Sequence, residues 1–318
     1  MSAMGGDPTF EDVLAAAERI RGHVHRTPVM TSGAIDAISG ARLHFKCENL
    51  QKVGAFKARG ATNAVLLLDD GAAGRGVATH SSGNHAAALA YAARIRGVAA
   101  NVVMPSSAPS VKKAAVTGYG ALITECEPTL EARETTLEDV VEKTGATFIH
   151  AYDNPMVIAG QGTASLELIT DVPDLDSVIA PIGGGGLMSG TAIAVSSSRP
   201  DITIWGSEPA AADDAFRSLR DGTLYPSVKP NTIADGLLTS LSDRTYRILS
   251  ERLKGILTVS EETIVRAMRL LWERMKLVVE PSGAVPLAAV LDHPDHFVGQ
   301  HVGLIVSGGN VNLDRLPW

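Results

Sequence analysis

An α/β protein built on parallel sheets is what this 318-residue sequence predicts. Three observations carry the prediction. From Gly76 onward, short apolar runs alternate with helical patterns; glycine- and serine-rich turns join each run to its helix; and hydrophobic residues make up 45% of the chain against 20% charged and 4% aromatic. Such alternation implies right-handed βαβ units, and the low aromatic share leaves small aliphatic side chains to fill the core.

Taken in order, Thr9 to Arg21 carries Phe10, Val13, Leu14, Ala17 and Ile20 at helical spacing, and His25-Arg26-Thr27-Pro28 ends it as an extended linker. Ala41 to Cys47 alternates like a strand, and a helix is expected from Gly60 to Leu68. Val77 to His80 reads as a strand, followed by Ser81-Ser82-Gly83-Asn84 and a helix from His85 to Gly97. The run 99–105 precedes a helix around Ser110 to Gly118; 121–127 precedes a charged helix from Leu130 to Thr144; and TFIHAY at 147–152 is a further strand. Asp176 to Pro181 is a buried strand before a run of four glycines and a helix rich in Ala and Ser. ITIWGSE and VGLIVSGG are strands, and Glu261 to Met275 is an amphipathic helix.

Composition excludes several classes. A formal charge of −7 argues against a nucleic-acid footprint or a polybasic membrane patch. Two cysteines, Cys47 and Cys126, with no CxxC pair suggest neither a disulfide framework nor a zinc cluster. No apolar run approaches the roughly 18 residues of a membrane span, and no secretory leader follows Met1. A soluble, cytoplasmic protein acting on a small molecule is expected.

Three stretches carry chemistry. Gly183-Gly184-Gly185-Gly186, between a strand and a helix, leaves backbone N–H groups uncovered where a helix N-terminus already favours an anion. That pattern is neither GxxxxGK[ST] nor GxGxxG with an acidic residue about twenty positions on, so ATP and NAD are not indicated. A tight, closely packed turn is the plain alternative. His80-Ser81-Ser82-Gly83-Asn84-His85 occupies the same kind of junction: a serine there caps the helix, or the free N–H groups hold a carboxylate. No GxSxG elbow exists for a hydrolase triad. Lys57 stands between Gly54-Ala55-Phe56 and Arg59-Gly60-Ala61. A lysine amine is nucleophilic only when neutral, and burial or flanking cations (Lys52, Arg59) lower its pKa. On spacing alone, a solvated surface lysine is the simpler reading.

Together with VIAGQGT, SEPAAADDA, NTIADGL, WERMKLVVEPSGAV and VSGGNV, the stretches AFKARGA, HSSGNHAAALAYAA and PIGGGGLMSG resemble the fold-type II pyridoxal-phosphate enzymes. The match is to their serine/threonine dehydratase and serine racemase branch, from about Ile20 to Asn312. The resemblance implies a tryptophan synthase β-like fold of two parallel-type α/β domains. The large one takes 1–51 and 153–318, the small mobile one 52–152, with the cofactor in the cleft.

By the same resemblance Lys57, next to Phe56, carries pyridoxal 5'-phosphate covalently, with Ala55 where relatives usually have serine. Asn84 bonds the 3′-oxygen, Gly183, Gly184, Gly185, Gly186 and Leu187 hold the phosphate, Ser307 faces the ring nitrogen and Glu280 lies behind the ring. A neutral hydroxyl at the ring nitrogen favours elimination. Ser81, Ser82, Gly83 and His85 would embrace the substrate carboxylate, with Asn154 and Arg133 near the substrate. Asn154 reads equally as a turn residue before Pro155, Arg133 as a solvated helix residue and Glu280 as a buried cap. Glu208, the Ala212 carbonyl and Asp214 match a divalent-cation site suited to magnesium, calcium or manganese.

The implied activity is elimination from L-serine or L-threonine to a 2-oxo acid and ammonia. Ser82, a proton donor on the opposite face, keeps serine racemase and 3-hydroxyaspartate dehydratase as alternatives. β-Replacement of the cysteine synthase kind and a non-catalytic ligand sensor rank lower. A homodimer is the family habit, and a C-terminal regulatory module is not expected.

Overall fold

A computed structural model describes residues 6–318, leaving aside the side chain of Val111; the leader reading after Met1 falls outside the described residues. Helix α1 (Phe10–Ile20) begins at Thr9, which exchanges hydrogen bonds with Asp12 in a capping box. Val13, Ala16 and Ile20 face inward, whereas Leu14 stays exposed. Strand β1 (Val29–Met30), helix α2 (Gly33–Ser39) and strand β2 (Arg42–Cys47) follow, then helices α3 (Lys57–Leu66) and α4 (Asp70–Gly74).

A four-stranded parallel sheet comes next, from β3 (Val77–His80), β4 (Ala100–Pro105), β5 (Leu122–Cys126) and β6 (Thr147–Phe148) in the order β5-β4-β3-β6. Helices α5 (Asn84–Arg96), α6 (Ser110–Gly118) and α7 (Leu130–Thr144) make its crossovers. After α8 (Pro155–Asp171) the chain adds β7 (Ser177–Pro181), α9 (Gly186–Ser198), β8 (Thr203–Pro209), α10 (Asp214–Asp221), α11 (Asp243–Arg252), β9 (Gly255–Val259), α12 (Glu261–Met275), α13 (Pro281–Asp292) and β10 (His301–Val306). The larger sheet runs β1-β2-β10-β7-β8-β9, parallel except for β1 against β2. Burial on both faces makes β7 and β10 unbroken apolar runs rather than alternating ones. The predicted α/β class with parallel sheets is the observed one.

Some expectations change. The third helix starts at Lys57 itself, three residues before the predicted Gly60, so the lysine occupies the first turn. Only Thr147 and Phe148 of TFIHAY pair as a strand. Helix α8 was not anticipated: residues 157–165 are buried throughout, so no amphipathic period marks it. It is clamped by glycine contacts. A Cβ on Gly60 would come within 2.6 Å of the Val157 carbonyl, and one on Gly162 within 2.7 Å of the Gly190 carbonyl, so α3 and α9 approach α8 at backbone distance.

A buried charge network reinforces the α3 contact. The fully buried Arg59 guanidinium donates to both Glu48 oxygens at 2.8 Å and to both Glu167 oxygens at 2.8 Å. Lys46 reaches Glu167 at 2.6 Å and donates to the Thr27 carbonyl at 2.6 Å. Opposite charges buried together with every donor used satisfy one another. Arg59 therefore spends its charge on carboxylates, and the expectation that it flanks the Lys57 amine as a free cation is corrected. No helix among the described residues is long and apolar enough to cross a membrane.

Candidate active site

The C-terminal ends of parallel strands, where ligands collect in such sheets, supply most walls of one cavity of about 490 Å³. The turn after β3 brings Ser81 to His85, the loop after β7 brings the four glycines and Leu187, and the end of β10 brings Ser307. Phe56 and Lys57 enter from α3, and Glu280 from the start of α13. A second, more open depression of about 480 Å³, beside Val29, Thr31, His44 and residues 171–174, contains none of these groups.

The Lys57 amine donates to the Ala151 carbonyl at 2.9 Å and lies 5.1 Å from the centre of the Phe56 ring. Burial lowers its pKa to about 8. Desolvation, rather than neighbouring cations, moves this amine toward its nucleophilic form.

Gly185 caps α9 in the left-handed conformation at φ 84°, which glycine adopts without strain. The other glycines answer to packing. A Cβ at Gly183 would sit 3.0 Å from the Gly236 carbonyl, one at Gly186 2.8 Å from Tyr152 Cβ, and one at Gly184 would overlap the Tyr152 ring. Tight packing on one side and bare amides at the head of α9 on the other are both present. Gly184→Ala is expected to weaken pyridoxal phosphate binding at least about fivefold, since the added Cβ displaces the Tyr152 ring from the glycine loop and overpacking of this kind costs about 1–3 kcal/mol. Fluorescence titration with the cofactor measures it, and unchanged affinity would contradict the cradle.

Neither serine of the β3 turn caps α5; its N-cap is Gly83, with no side-chain bond. Ser81 Oγ instead accepts from the Gly83 N–H at 3.3 Å, and Ser82 has no hydrogen-bond partner among the described residues. The capping expectation is thus corrected, and the Ser82 hydroxyl remains free on the cavity wall. His85 Nε2 donates to the Ile149 carbonyl at 3.0 Å. Burial, helped by the Lys57 charge, pushes its pKa to about 3, so the ring is neutral.

Asn84 is fixed at both ends of its amide. Its Nδ2 donates to Glu280 Oε1 at 2.9 Å, and Asn310 Nδ2 donates to its Oδ1 at 2.9 Å, while the Asn310 backbone N–H reaches Glu280 Oε2 at 3.1 Å. Burial pushes the Glu280 carboxyl up from 4.5 to about 8, with Asp235 adding to the rise and the two donors opposing it. An acid whose folded pKa is raised holds its proton over this window, so its contribution to stability declines as pH rises from 4.5 to about 8. Glu280→Gln is expected to flatten that decline in thermal unfolding series; an unaltered slope would show a carboxylate already ionised. Glu280 occupies the N-cap position of α13 but makes no capping bond. Ser307 accepts at its carbonyl from the Phe56 N–H at 3.0 Å and lines the cavity.

Two further positions separate. Asn154 is not on the cavity wall: its Oδ1 caps α8 by accepting from Met156 and Val157 at 2.9 and 3.1 Å. The turn reading accounts for its amide oxygen. Arg133 does line the cavity; its Nε donates to the Thr129 carbonyl at 3.3 Å, and its terminal nitrogens have no partner among the described residues.

Sequence reasoning missed His80, Phe148, His150 and Tyr152, which also form the wall. Phe148, His150 and Tyr152 recur at every second residue, a spacing that puts side chains of an extended segment on one face, and this was the available signal. Lys112 and Asp235, 3.0 Å apart, bridge α6 to the loop before α11 at the cavity rim.

Next to the cavity, Glu208 ends β8 and accepts from Ala215 and Phe216 N–H groups at 3.2 and 2.9 Å. Asp214 opens α10 with both carboxylate oxygens buried and unpartnered among the described residues. Burial raises Glu208 well above the usual range and Asp214 to about 6, and the Asp214 charge adds to the rise at Glu208. Ala212 is buried in the short turn between them. Among the described residues no three His, Cys, Asp or Glu side chains gather around a metal position. Carbonyl oxygens would have to complete a set begun by two carboxylates, as hard cations accept.

A lysine amine of lowered pKa, a glycine cradle whose Cβ positions are closed by packing, and an amide held from both ends fit a phosphorylated aldehyde bound as an imine. Comparison with known proteins agrees with that chemistry. Residues 20–308 match the family model described as pyridoxal-phosphate dependent enzyme. The chain is 53% identical over 311 residues, 98% of its own length and 99% of the other's, to a beta-hydroxyaspartate dehydratase from Paracoccus denitrificans (strain Pd 1222). It is 44% identical over 308 residues, 96% of the chain and 97% of the relative, to an L-threo-3-hydroxyaspartate ammonia-lyase from a Pseudomonas species. The crystal structure of a serine racemase from Dictyostelium discoideum superposes with a TM-score of 0.93 at 49% identity, over 96% of this chain and 99% of that one. The chain therefore belongs to the pyridoxal-phosphate-dependent enzymes of fold type II, in the dehydratase and serine racemase branch.

Proposed function

We propose that this enzyme is an ammonia-lyase for β-hydroxy amino acids, and that 3-hydroxyaspartate is preferred over L-serine and L-threonine. One observation carries the preference: the unpaired Arg133 guanidinium on the cavity wall, a cation that neither serine nor threonine needs for its side chain. The relatives named for hydroxyaspartate support it. This departs from the serine/threonine expectation because that rested on motifs around the cofactor, which do not read the substrate side chain.

Bound pyridoxal phosphate supplies an electron sink for the Cα–H bond. The residues of the chain do the rest. Glycines 183–186 hold the phosphate at the N-terminus of α9, Asn84 meets the ring oxygen, and Ser307 offers the ring nitrogen a neutral hydroxyl. The N–H groups of Ser82 and Asn84 in the turn after β3 take the substrate α-carboxylate. Lys57, released as a free amine, removes the Cα proton, and its lowered pKa suits that exchange near neutral pH. Departure of the β-hydroxyl completes loss of water, and hydrolysis then yields 2-oxo acid and ammonia. Glu208, Asp214 and the Ala212 carbonyl hold a structural divalent cation in the same reading, and the enzyme assembles as a homodimer.

Purified enzyme given L-serine, L-threonine or L-3-hydroxyaspartate tests the substrate, with 2-oxo acid and D-amino acid measured side by side. Fastest 2-oxo acid release from 3-hydroxyaspartate is expected; a higher kcat/KM for serine or threonine overturns the preference. A second activity, racemisation, is favoured by the unpaired Ser82 hydroxyl on the cavity wall. Ser82→Ala is expected to spare L-isomers while slowing D-isomers about 100-fold, the usual worth of a positioned proton donor. Equal losses on both would discredit a two-face scheme.

A further inference from the structure

Under the reading above, the cofactor phosphate, the ring and the substrate α-carboxylate each have a wall of the cavity. The remaining wall faces the substrate side chain, and it carries Arg133, His80, Phe148 and His150, with the Glu134 carboxylate beside Arg133. These groups form one surface. His80 stacks on Phe148 with ring centres 6.0 Å apart, Phe148 meets His150 edge-on at 5.6 Å, and the Arg133 charge acts on His80.

His150 has a feature the other imidazoles of the cavity lack. Its Nδ1 accepts from two backbone N–H groups, those of Tyr152 at 3.3 Å and Asp153 at 2.9 Å. A nitrogen that accepts two amide bonds carries no proton, so the proton of the neutral ring is on Nε2. Protonating Nδ1 would break both bonds. Burial favours the same neutral form, pushing the pKa to about 4; Asp153 opposes this, while His80, Lys57 and Arg244 add to it. Nε2 has no hydrogen-bond partner among the described residues, and the ring lines the cavity.

We propose that His150 is a specificity-determining donor whose Nε2–H, held in one tautomer by the amides of Tyr152 and Asp153, binds the distal carboxylate of a dicarboxylic β-hydroxy amino acid beside Arg133. The proposal deepens the 3-hydroxyaspartate reading and rests on it. Arg133 supplies charge and His150 supplies direction. A neutral imidazole is a poor acid, so it grips the carboxylate without protonating the reacting carbon.

The test uses the holoenzyme. With ¹⁵N-labelled histidine, the His150 ring is expected to show an unprotonated Nδ1, a protonated Nε2 and no titration from about pH 5.5 to 8. A protonated Nδ1, or titration near the ordinary value of about 6.5, overturns the lock. His150→Asn keeps an acceptor near the Nδ1 position and removes the far donor; His150→Gln restores an N–H near the Nε2 position. The ratio of kcat/KM for 3-hydroxyaspartate over serine is expected to fall about tenfold in His150→Asn, mainly through KM, and to recover at least about threefold in His150→Gln. A wild-type enzyme that is active on 3-hydroxyaspartate and keeps its ratio in His150→Asn overturns this proposal alone. A wild-type enzyme inactive on 3-hydroxyaspartate overturns the substrate reading, and this proposal with it.

Discussion

Lys57→Ala is expected to lower kcat by at least about 1,000-fold and to remove the visible absorbance of covalently held cofactor. The amine acts twice in the proposed chemistry, as the attachment point and as the base at Cα, so one deletion removes both functions. No neighbour replaces it. Lys112, the other lysine on the cavity wall, is paired with Asp235 at 3.0 Å, and Lys46 is buried against Glu167. Spectra of the reconstituted variant and single-turnover release of 2-oxo acid give the two readouts; near-wild-type colour and turnover would refute the assignment of this lysine.

The second large effect concerns stability. Arg59→Met is expected to destabilise the protein by about 3–5 kcal/mol, because it strands the fully buried Glu48 and deprives the partly buried Glu167 of its bidentate partner. Glu48 is fully buried and Glu167 partly exposed, and the single cation left beside them is Lys46. Denaturant unfolding of variant and parent measures the loss, and a change under about 1 kcal/mol would mean that the network contributes no more than a surface pair. Pairing Arg59→Met with Glu48→Gln is expected to recover part of the loss, since the stranded charge is then removed.

Much of the fold was legible. Helices α6, α7 and α12 begin and end where their spacing and caps predict, because each has a solvated face that leaves a period in the sequence. Helices α8 and α13 were not, since they are buried nearly all round and the apolar period vanishes, whereas the equally buried α9 is marked by the glycine run before it. The same contrast holds at the site. Lys57, Asn84, the glycine run and Ser307 lie in compact motifs and meet in the cavity. The ring wall at 148–152 was read as strand residues, because its role arises only where the segment leaves the sheet after Phe148. Arg59 was assigned to Lys57 on adjacency. Two residues along a helix turn the direction by roughly 200°, so the two side chains address opposite sides of α3. Next to Pro155 at a helix start, the Asn154 amide oxygen is taken up by the backbone N–H groups of the first turn, which is the turn reading the sequence offered.

The position of β10 has a consequence for biogenesis. This strand follows every other described strand in the chain, yet it sits inside the larger sheet, pairing β2 through Leu43–Val302 and β7 through Ser177–Val302. Until it emerges from the ribosome, β2 and β7 each present an open edge of unsatisfied amides, and the sheet exists as two unjoined pieces. Nascent chains of this enzyme must therefore wait for β10 before the larger sheet closes, a delay during which chaperones have most to shield.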